Sequence, residues 1–274
     1  MKKFSWAFLL LIAAMVLLAA CGGSPEEDPT TDDAATSGGE EQDLLAKVQE
    51  EGKLVVGTEG TYPPFTFHDE TGKLTGFDVE IAQEVAKRLG VEAEFLETQW
   101  DAMFAGLDAK RFDMVANQVG INDERKESYE FSDPYITSTA VLVVPKGSDI
   151  KTFDDLEGKL SAQSLTSNYA ETAKSFGAEL EGVEGFNQAI ELLNSGRVDA
   201  TVNDNLTVLD FLKQRPDANI EIVDESEDAA QSGLLFRQGS GAMVEEVNKA
   251  LAEMIEDGTY EEISNKWFGE NVLE

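Results

Sequence analysis

From Leu44 onward the apolar positions switch repeatedly between two periods. Leu54-Val55-Val56-Gly57-Thr58 is a short apolar run closed by turn residues, the pattern of a buried strand. Gly76-Phe77-Asp78 opens a stretch in which Ile81, Ala82, Val85 and Leu89 share one helical face, and Gly90 ends it. Glu92 to Leu96 alternates as a strand, Met103, Phe104 and Leu107 mark a second helix face, and Phe112 to Ala116 reads as a third strand. Strand, helix, strand, helix, strand predicts a parallel sheet with covering helices, the α/β class.

The same order returns later. Trp100 to Gln118 can be laid on Phe186 to Asp204 without a gap, matching Leu107 with Leu193, Arg111 with Arg197, Asp113 with Asp199 and Asn117 with Asn203. Gln118 and Asp204 then take equivalent places just past the carboxyl end of a strand, where open α/β sheets bind ligands. Two such lobes facing each other would share a cleft. The apolar runs Val141–Val144 and Gly233–Phe236 are expected to be the crossings between lobes. That gives lobe one as 44–139, lobe two as 140–231 and a return segment 232–274. Val247, Leu251, Met254 and Ile255 are expected to face inward from a closing helix over 244–267. A two-segment hinge permits closure around a ligand.

Ahead of this region, Lys2 and Lys3 precede an apolar run from Phe4 to Ala20, a signal-peptide pattern over residues 1–20. Leu18-Ala19-Ala20-Cys21 resembles the lipobox of bacterial lipoprotein signal peptides. That resemblance implies a diacylglycerol on Cys21 and a lipid anchor, the alternative being an uncleaved anchor helix. Residues 21–43 lack large apolar side chains and basic residues, and read as an acidic tether reaching roughly 25 Å.

Composition narrows the chemistry. The chain has 274 residues, with 54 acidic against 21 basic ones and a formal charge of -33. No basic patch is visible, which excludes nucleic acid and basic adhesion to anionic lipid. One histidine (His68) and one cysteine exclude a Cys/His zinc site, a disulfide framework and a self-contained Cys-His dyad. No cofactor and no metal are expected, although a carboxylate-only metal site stays open.

Arg125 follows Gly120 and a strand end, where a guanidinium can take a carboxylate in a bidentate pair. An ion pair with Glu124 or Glu127 is the alternative. Gln118 and the Gly120 N–H could complete a carboxylate pocket. Asp204 could oppose an ammonium, cap the next helix, or do both. Tyr62 and Trp100 stand at strand-to-helix connections where flat side chains wall pockets, and Trp100 could equally be helix-cap packing. In Ser164 to Glu171, Asn168 with Glu171 resembles a capping box at a helix start that could also attract an anion. His68 reads as a surface residue. Gly-x-Ser-x-Gly is absent, so no triad is suggested.

Several of these pieces occur together in one known family. Gly57-Thr58, Tyr62-Pro63-Pro64-Phe65, Gly76-Phe77-Asp78-Val79, Asp123-Glu124-Arg125-Lys126, Phe131-Ser132-Asp133-Pro134-Tyr135, Asp154 to Lys159 and Lys266-Trp267-Phe268-Gly269 carry the likeness. From Leu54 to Gly269 the chain resembles the amino-acid-binding members of the bacterial solute-binding proteins, family 3, which deliver ligand to ABC importers. Asn117-Gln118-Val119 and Leu165 to Tyr169 are similar to the cystine-binding branch. Asn122 stands where the family often has Thr.

The resemblance implies a two-lobed periplasmic-binding-protein fold of type II, with parallel-rich sheets and two hinge crossings. It implies no catalysis, a monomer, L-cystine or a related sulfur amino acid as ligand, and a permease as partner. Arg125, helped by Gly120 and Gln118, would hold the α-carboxylate and Asp204 the α-ammonium. Tyr62 and Trp100 would be walls, Ser167 and Asn168 second-lobe contacts, and Glu59 an acidic contact to the ligand side chain. Another polar amino acid as ligand, or a lyase or sensor on the same fold, are the alternatives.

Overall fold

The computed structural model describes residues 43–273. The leader, Cys21 and all of the expected tether except Asp43 lie outside the described residues. A helix that periodicity did not reveal, Leu44–Glu51, begins at Asp43, whose carboxylate accepts from the Leu45 N–H. Leu44 and Val48 pack it onto the first core. Among the described residues no helix is long and apolar enough to cross a membrane.

The first sheet runs in the order Glu92–Glu97, Lys53–Thr58, Met114–Val115, Leu235–Arg237, Tyr129–Phe131. Its first three strands are parallel, as the alternating pattern predicts. The last two are antiparallel to each other, and Leu235–Arg237 also runs antiparallel to Met114–Val115.

A second set of strands repeats this plan. Glu179–Gly182 pairs in parallel with Leu160–Gln163, and Ser161 bridges Ala200 in parallel. Thr201–Asp204, Ala140–Pro145 and Ile220–Glu225 then follow antiparallel. Each lobe thus has three strands running in one direction, the third of the second lobe being Thr201–Asp204. A fourth strand antiparallel to the third and a fifth antiparallel to the fourth follow.

The expected crossings are displaced by a few residues. Val141–Val144 lies inside the central strand Ala140–Pro145, where Val141 and Val143 face one core and Leu142 and Val144 another. A continuous apolar run signals burial on both faces, and both faces here are covered. Leu235–Arg237 is likewise a sheet strand. The chain passes between the sheets just outside these runs, as Ile136–Ser138 and Ala230–Ser232, which pair antiparallel in a two-stranded ribbon.

The closing segment is two helices, Gly241–Glu256 and Thr259–Phe268, separated at Gly258, which takes φ 84°. Val247, Leu251 and Met254 enter the first core as expected. Ile255 does not: it lies about 100° round the helix from Met254 and is 49% exposed. The Trp267-Phe268 pair closes the hairpin of Thr61–Tyr62, Thr66–His68 and Leu74–Thr75. Phe268 packs on Phe65 and Phe77, and Trp267 meets Phe67 edge-on.

Candidate functional site

The lobes close on each other through hydrogen bonds from several elements. The Tyr62 hydroxyl donates to Asn203 Oδ1 at 2.8 Å. Thr166 donates to Asp101 Oδ1 from its backbone N–H (3.1 Å) and its hydroxyl (2.7 Å). Asn187 Nδ2 reaches the Thr61 carbonyl at 3.4 Å.

Between these contacts lies a small cavity of about 50 Å³. The first lobe lines it with Glu59, Tyr62, Trp100, Asn117 and Gln118, and the second with Ser167, Asn168, Tyr169 and Asn203 among others. Six expected site residues, Glu59, Tyr62, Trp100, Gln118, Ser167 and Asn168, therefore line one cavity. Gly120, Arg125 and Asp204 form the layer behind that lining.

Arg125 is 8% exposed, on the short helix Asp123–Ser128. Asn122 caps that helix by accepting from the Arg125 N–H at 2.8 Å, doing for the backbone what a threonine would do. The guanidinium donates to the Gly120 carbonyl (2.9 Å) and, across the cleft, to the Thr166 carbonyl (3.2 Å). It stacks over the Trp100 and Phe104 rings at 5.5 and 5.3 Å. Burial lowers its pKa, against opposing attraction from Glu171 and Glu124. No ion pair to Glu124 or Glu127 forms, so the alternative reading of this side chain is not what the fold adopts. A Cβ on Gly120 would lie 3.5 Å from both Arg125 Nη1 and Asn168 Oδ1, filling the gap between the lobes.

Asp204 does cap its helix, Asn205–Gln214, accepting from the Leu206 N–H at 2.9 Å. Its other oxygen accepts from the Ser138 and Tyr169 hydroxyls. It is buried, and burial raises its pKa while those donors pull it down. A buried carboxyl with three donors on it is thus held where the hinge ribbon, the second-lobe strand and the Tyr169 helix converge.

Glu59 is clamped by Asn117, which donates from Nδ2 to Oε2 at 2.6 Å and accepts from the Glu59 N–H at 2.8 Å. Burial pushes its carboxyl up to about 7, although Asn117 and the Trp100 backbone N–H both favour the charged form. That N–H opens the helix Trp100–Asp108, for which Gln99 provides no side-chain cap.

The second-lobe cap is Ser167, one residue before the expected Asn168: Ser167 Oγ accepts from the Ala170 N–H at 3.1 Å. His68 stays at the surface, its Nε2 3.1 Å from Glu97.

Gln118 differs from expectation in its chemistry. Its backbone sits at φ 53°. Its N–H and Nε2 both donate to the buried Asp78, at 2.8 and 2.7 Å. The amide nitrogen expected to serve a carboxylate is already committed. Burial pushes Asp78 up to about 7, with Gln118 and Tyr135 acting in the opposite sense.

Sequence reading assigned no part in the site to Asp78, Asn117, Tyr169, Asn203 or Ser138. The Asn117 and Asn203 match in the internal repeat was the signal for two of them. Among the described residues no group of His, Cys, Asp and Glu is placed to hold a metal ion.

Residues 54–270 match the profile of the bacterial extracellular solute-binding proteins, family 3. The L-cystine-binding protein TcyA of Bacillus subtilis is 56% identical over 84% of this chain and 86% of its own. The L-cystine solute receptor of Neisseria gonorrhoeae, solved in an unliganded open conformation, is 46% identical, with 84% of this chain and 99% of the receptor covered and a TM-score of 0.56. An ancestral arginine-binding protein bound to arginine is 42% identical over 79% of this chain and 98% of its own, yet superposes with a TM-score of 0.75. The ligand-bound relative is the better match in shape although it is the more distant in sequence. That ranking agrees with the hydrogen bonds across the cleft, which describe a closed form.

Proposed function

The chain belongs to the bacterial extracellular solute-binding proteins, family 3, and from that premise we propose that it is the binding component of an amino-acid ABC importer, taking L-cystine or a related sulfur amino acid. The observation that carries this reading is the buried pair of Arg125 from the first lobe and Asp204 from the second, each one layer behind the cavity lining, Arg125 stacked on Trp100 and Asp204 accepting from Tyr169.

In the proposed cycle the lobes, 44–139 with 232–274 and 140–231, open about the ribbon of Ile136–Ser138 and Ala230–Ser232. The ligand carboxylate replaces the Thr166 carbonyl on Arg125, beside the Gly120 backbone. A bidentate pair with a carboxylate is stronger than the single bond to an uncharged carbonyl that it displaces. The ammonium faces Asp204 and its Tyr169 and Ser138 partners. Tyr62 and Trp100 wall the side chain, Ser167 and Asn168 approach from the second lobe, and Glu59 meets the distal part. Ligand shifts the population to the closed form because these contacts exist only there, and a permease in the membrane reads that form.

Cys21 carries a lipid that tethers a monomer to the outer face of the membrane; mass spectrometry of the N-terminal peptide would show the added acyl mass. The raised carboxyl of Glu59 is the one feature that favours an enzyme on this fold, since a group near 7 can exchange protons. Turnover of the bound amino acid would establish that reading.

The decisive experiment is calorimetric titration of the ligand-stripped chain with the standard amino acids and L-cystine. L-cystine should bind, and Arg125→Ala should weaken it at least about 100-fold, because the ligand carboxylate is left buried without its partner. Tight binding of another amino acid would retain transport and discard cystine. No binding at all would discard the amino-acid reading.

A further inference from the structure

Folded proteins leave few buried polar atoms unmatched, and each exception calls for a partner. Among the described residues, two unmatched buried side-chain atoms belong to residues lining the inner cavity: Gln118 Oε1 and Trp100 Nε1. One can only accept and the other can only donate. Both residues are more than nine-tenths buried.

Neither atom can exchange its character for the other. Asp78 takes two hydrogen bonds from Gln118, one from the backbone and one from Nε2. With Asp78 ionised, turning the amide over would set Oε1 against the carboxylate oxygen that now accepts from Nε2, so the amide atom left unmatched is an acceptor. The Trp100 ring is held edge-on to Phe104 at 5.6 Å and beneath the Arg125 guanidinium. Its N–H therefore lies in the same neighbourhood as the cation proposed for the carboxylate. Asp204, by contrast, already has three donors on it.

We propose that Gln118 Oε1 accepts a hydrogen bond from the ligand ammonium and Trp100 Nε1 donates one to a ligand carboxylate oxygen, with Asp78 as the positioning residue that holds the Gln118 acceptor in place. This rests on the amino-acid reading of the cleft and makes the site selective for a free α-amino group. It reverses the part expected of Gln118, from carboxylate donor to ammonium acceptor.

The test pairs L-cystine with 3,3′-dithiodipropionic acid, which keeps both carboxylates and the disulfide and lacks the amino groups. Affinities are measured calorimetrically on the full chain and its variants, with thermal melting as a check of folding. Gln118→Met should weaken L-cystine about 10- to 100-fold, the range for a hydrogen bond to a charged group, and leave the deaminated acid within twofold. Trp100→Phe should weaken both ligands, about 10-fold.

Asp78→Asn frees the amide to turn. It should weaken L-cystine as Gln118→Met does, and the double variant should be no weaker than either single one, the coupling expected of one shared interaction. Should Asp78→Asn fail to fold, the Gln118→Met and Trp100→Phe comparison decides alone. Equal weakening of both ligands by Gln118→Met, or no weakening of L-cystine, overturns the proposal. If the wild-type protein prefers another amino acid, the cystine reading fails, and the same comparison with that amino acid and its deaminated counterpart decides the Gln118 assignment. If it binds no amino acid, both readings fall.

Discussion

Residues 100–118 of the first lobe and 186–204 of the second build the same frame and load it with different chemistry. Each begins with an aromatic residue at a helix start, Trp100 or Phe186. Each ends its helix in a left-handed turn, Lys110 at φ 57° and Gly196 at φ 65°. Each then presents an aspartate that reaches back to the first parallel strand of its lobe. Asp113 accepts from the Val55 N–H at 3.1 Å, and Asp199 accepts from the Leu160 N–H at 2.9 Å. The strands that follow pair in parallel and deliver Asn117-Gln118 and Asn203-Asp204 to the cleft.

From there the segments diverge. Gln118 bends the first-lobe backbone into a loop that carries Gly120 and the short Arg125 helix, whereas Asp204 passes straight into a helix and caps it. The lesson is that a repeated frame sets where side chains arrive, while the next few residues set their charge. One lobe comes to carry a buried guanidinium and the other a buried carboxyl, the two groups that the proposed reading assigns to the ends of a zwitterion.

The sharpest way to break this comparison is at its ends. Asp204→Asn keeps an acceptor for the Leu206 N–H, so the cap survives, but removes the charge. Ligand affinity should fall about 100-fold with little change in melting temperature. An affinity within a few-fold of wild type would mean that the second lobe does not supply the counter-charge.

The next effect concerns acidity. Asp78 and Glu59 both sit at about 7 in the folded chain against about 4 when unfolded. Between those values the native state binds more protons than the unfolded one, so stability should fall as pH rises from about 4 to 7 and level off above 8. Asp204, also raised by burial, acts in the same sense. For fully buried Asp78 the loss is at most about 4 kcal/mol, and Asp78→Asn should flatten the profile measured by urea denaturation.

The smallest effect compares the matched aspartates. Asp113 is buried and also pairs with Lys47 at 2.8 Å, while Asp199 is exposed. Asp113→Ala should cost about 2–3 kcal/mol and Asp199→Ala about 1 kcal/mol or less in denaturant unfolding. Equal costs would show that the shared turn, and not its burial, carries the stability.

Much of this was legible from local pattern. Period and turn residues located the parallel strands of the first sheet because burial on one or two faces writes itself into neighbouring positions. The repeat gave Gln118 and Asp204 equivalent places just past a strand end, and Arg125 stood out as a cation in the same setting. The helix Leu44–Glu51 escaped notice because it carries only two buried residues over two turns. The crossings were displaced because a run buried on both faces reads alike whether it spans lobes or fills a sheet.

What the sequence determined by itself was the α/β class, the two matched segments and the residue types that meet in the cleft, since these follow from spacing along the chain. What tertiary structure alone decided was how each polar group is used. The contact between Gln118 and Asp78 joins residues 40 positions apart, and that between Tyr62 and Asn203 spans 141. Periodicity has no access to such separations. A hydrogen bond already made within the protein decides which edge of a side chain is left for a ligand.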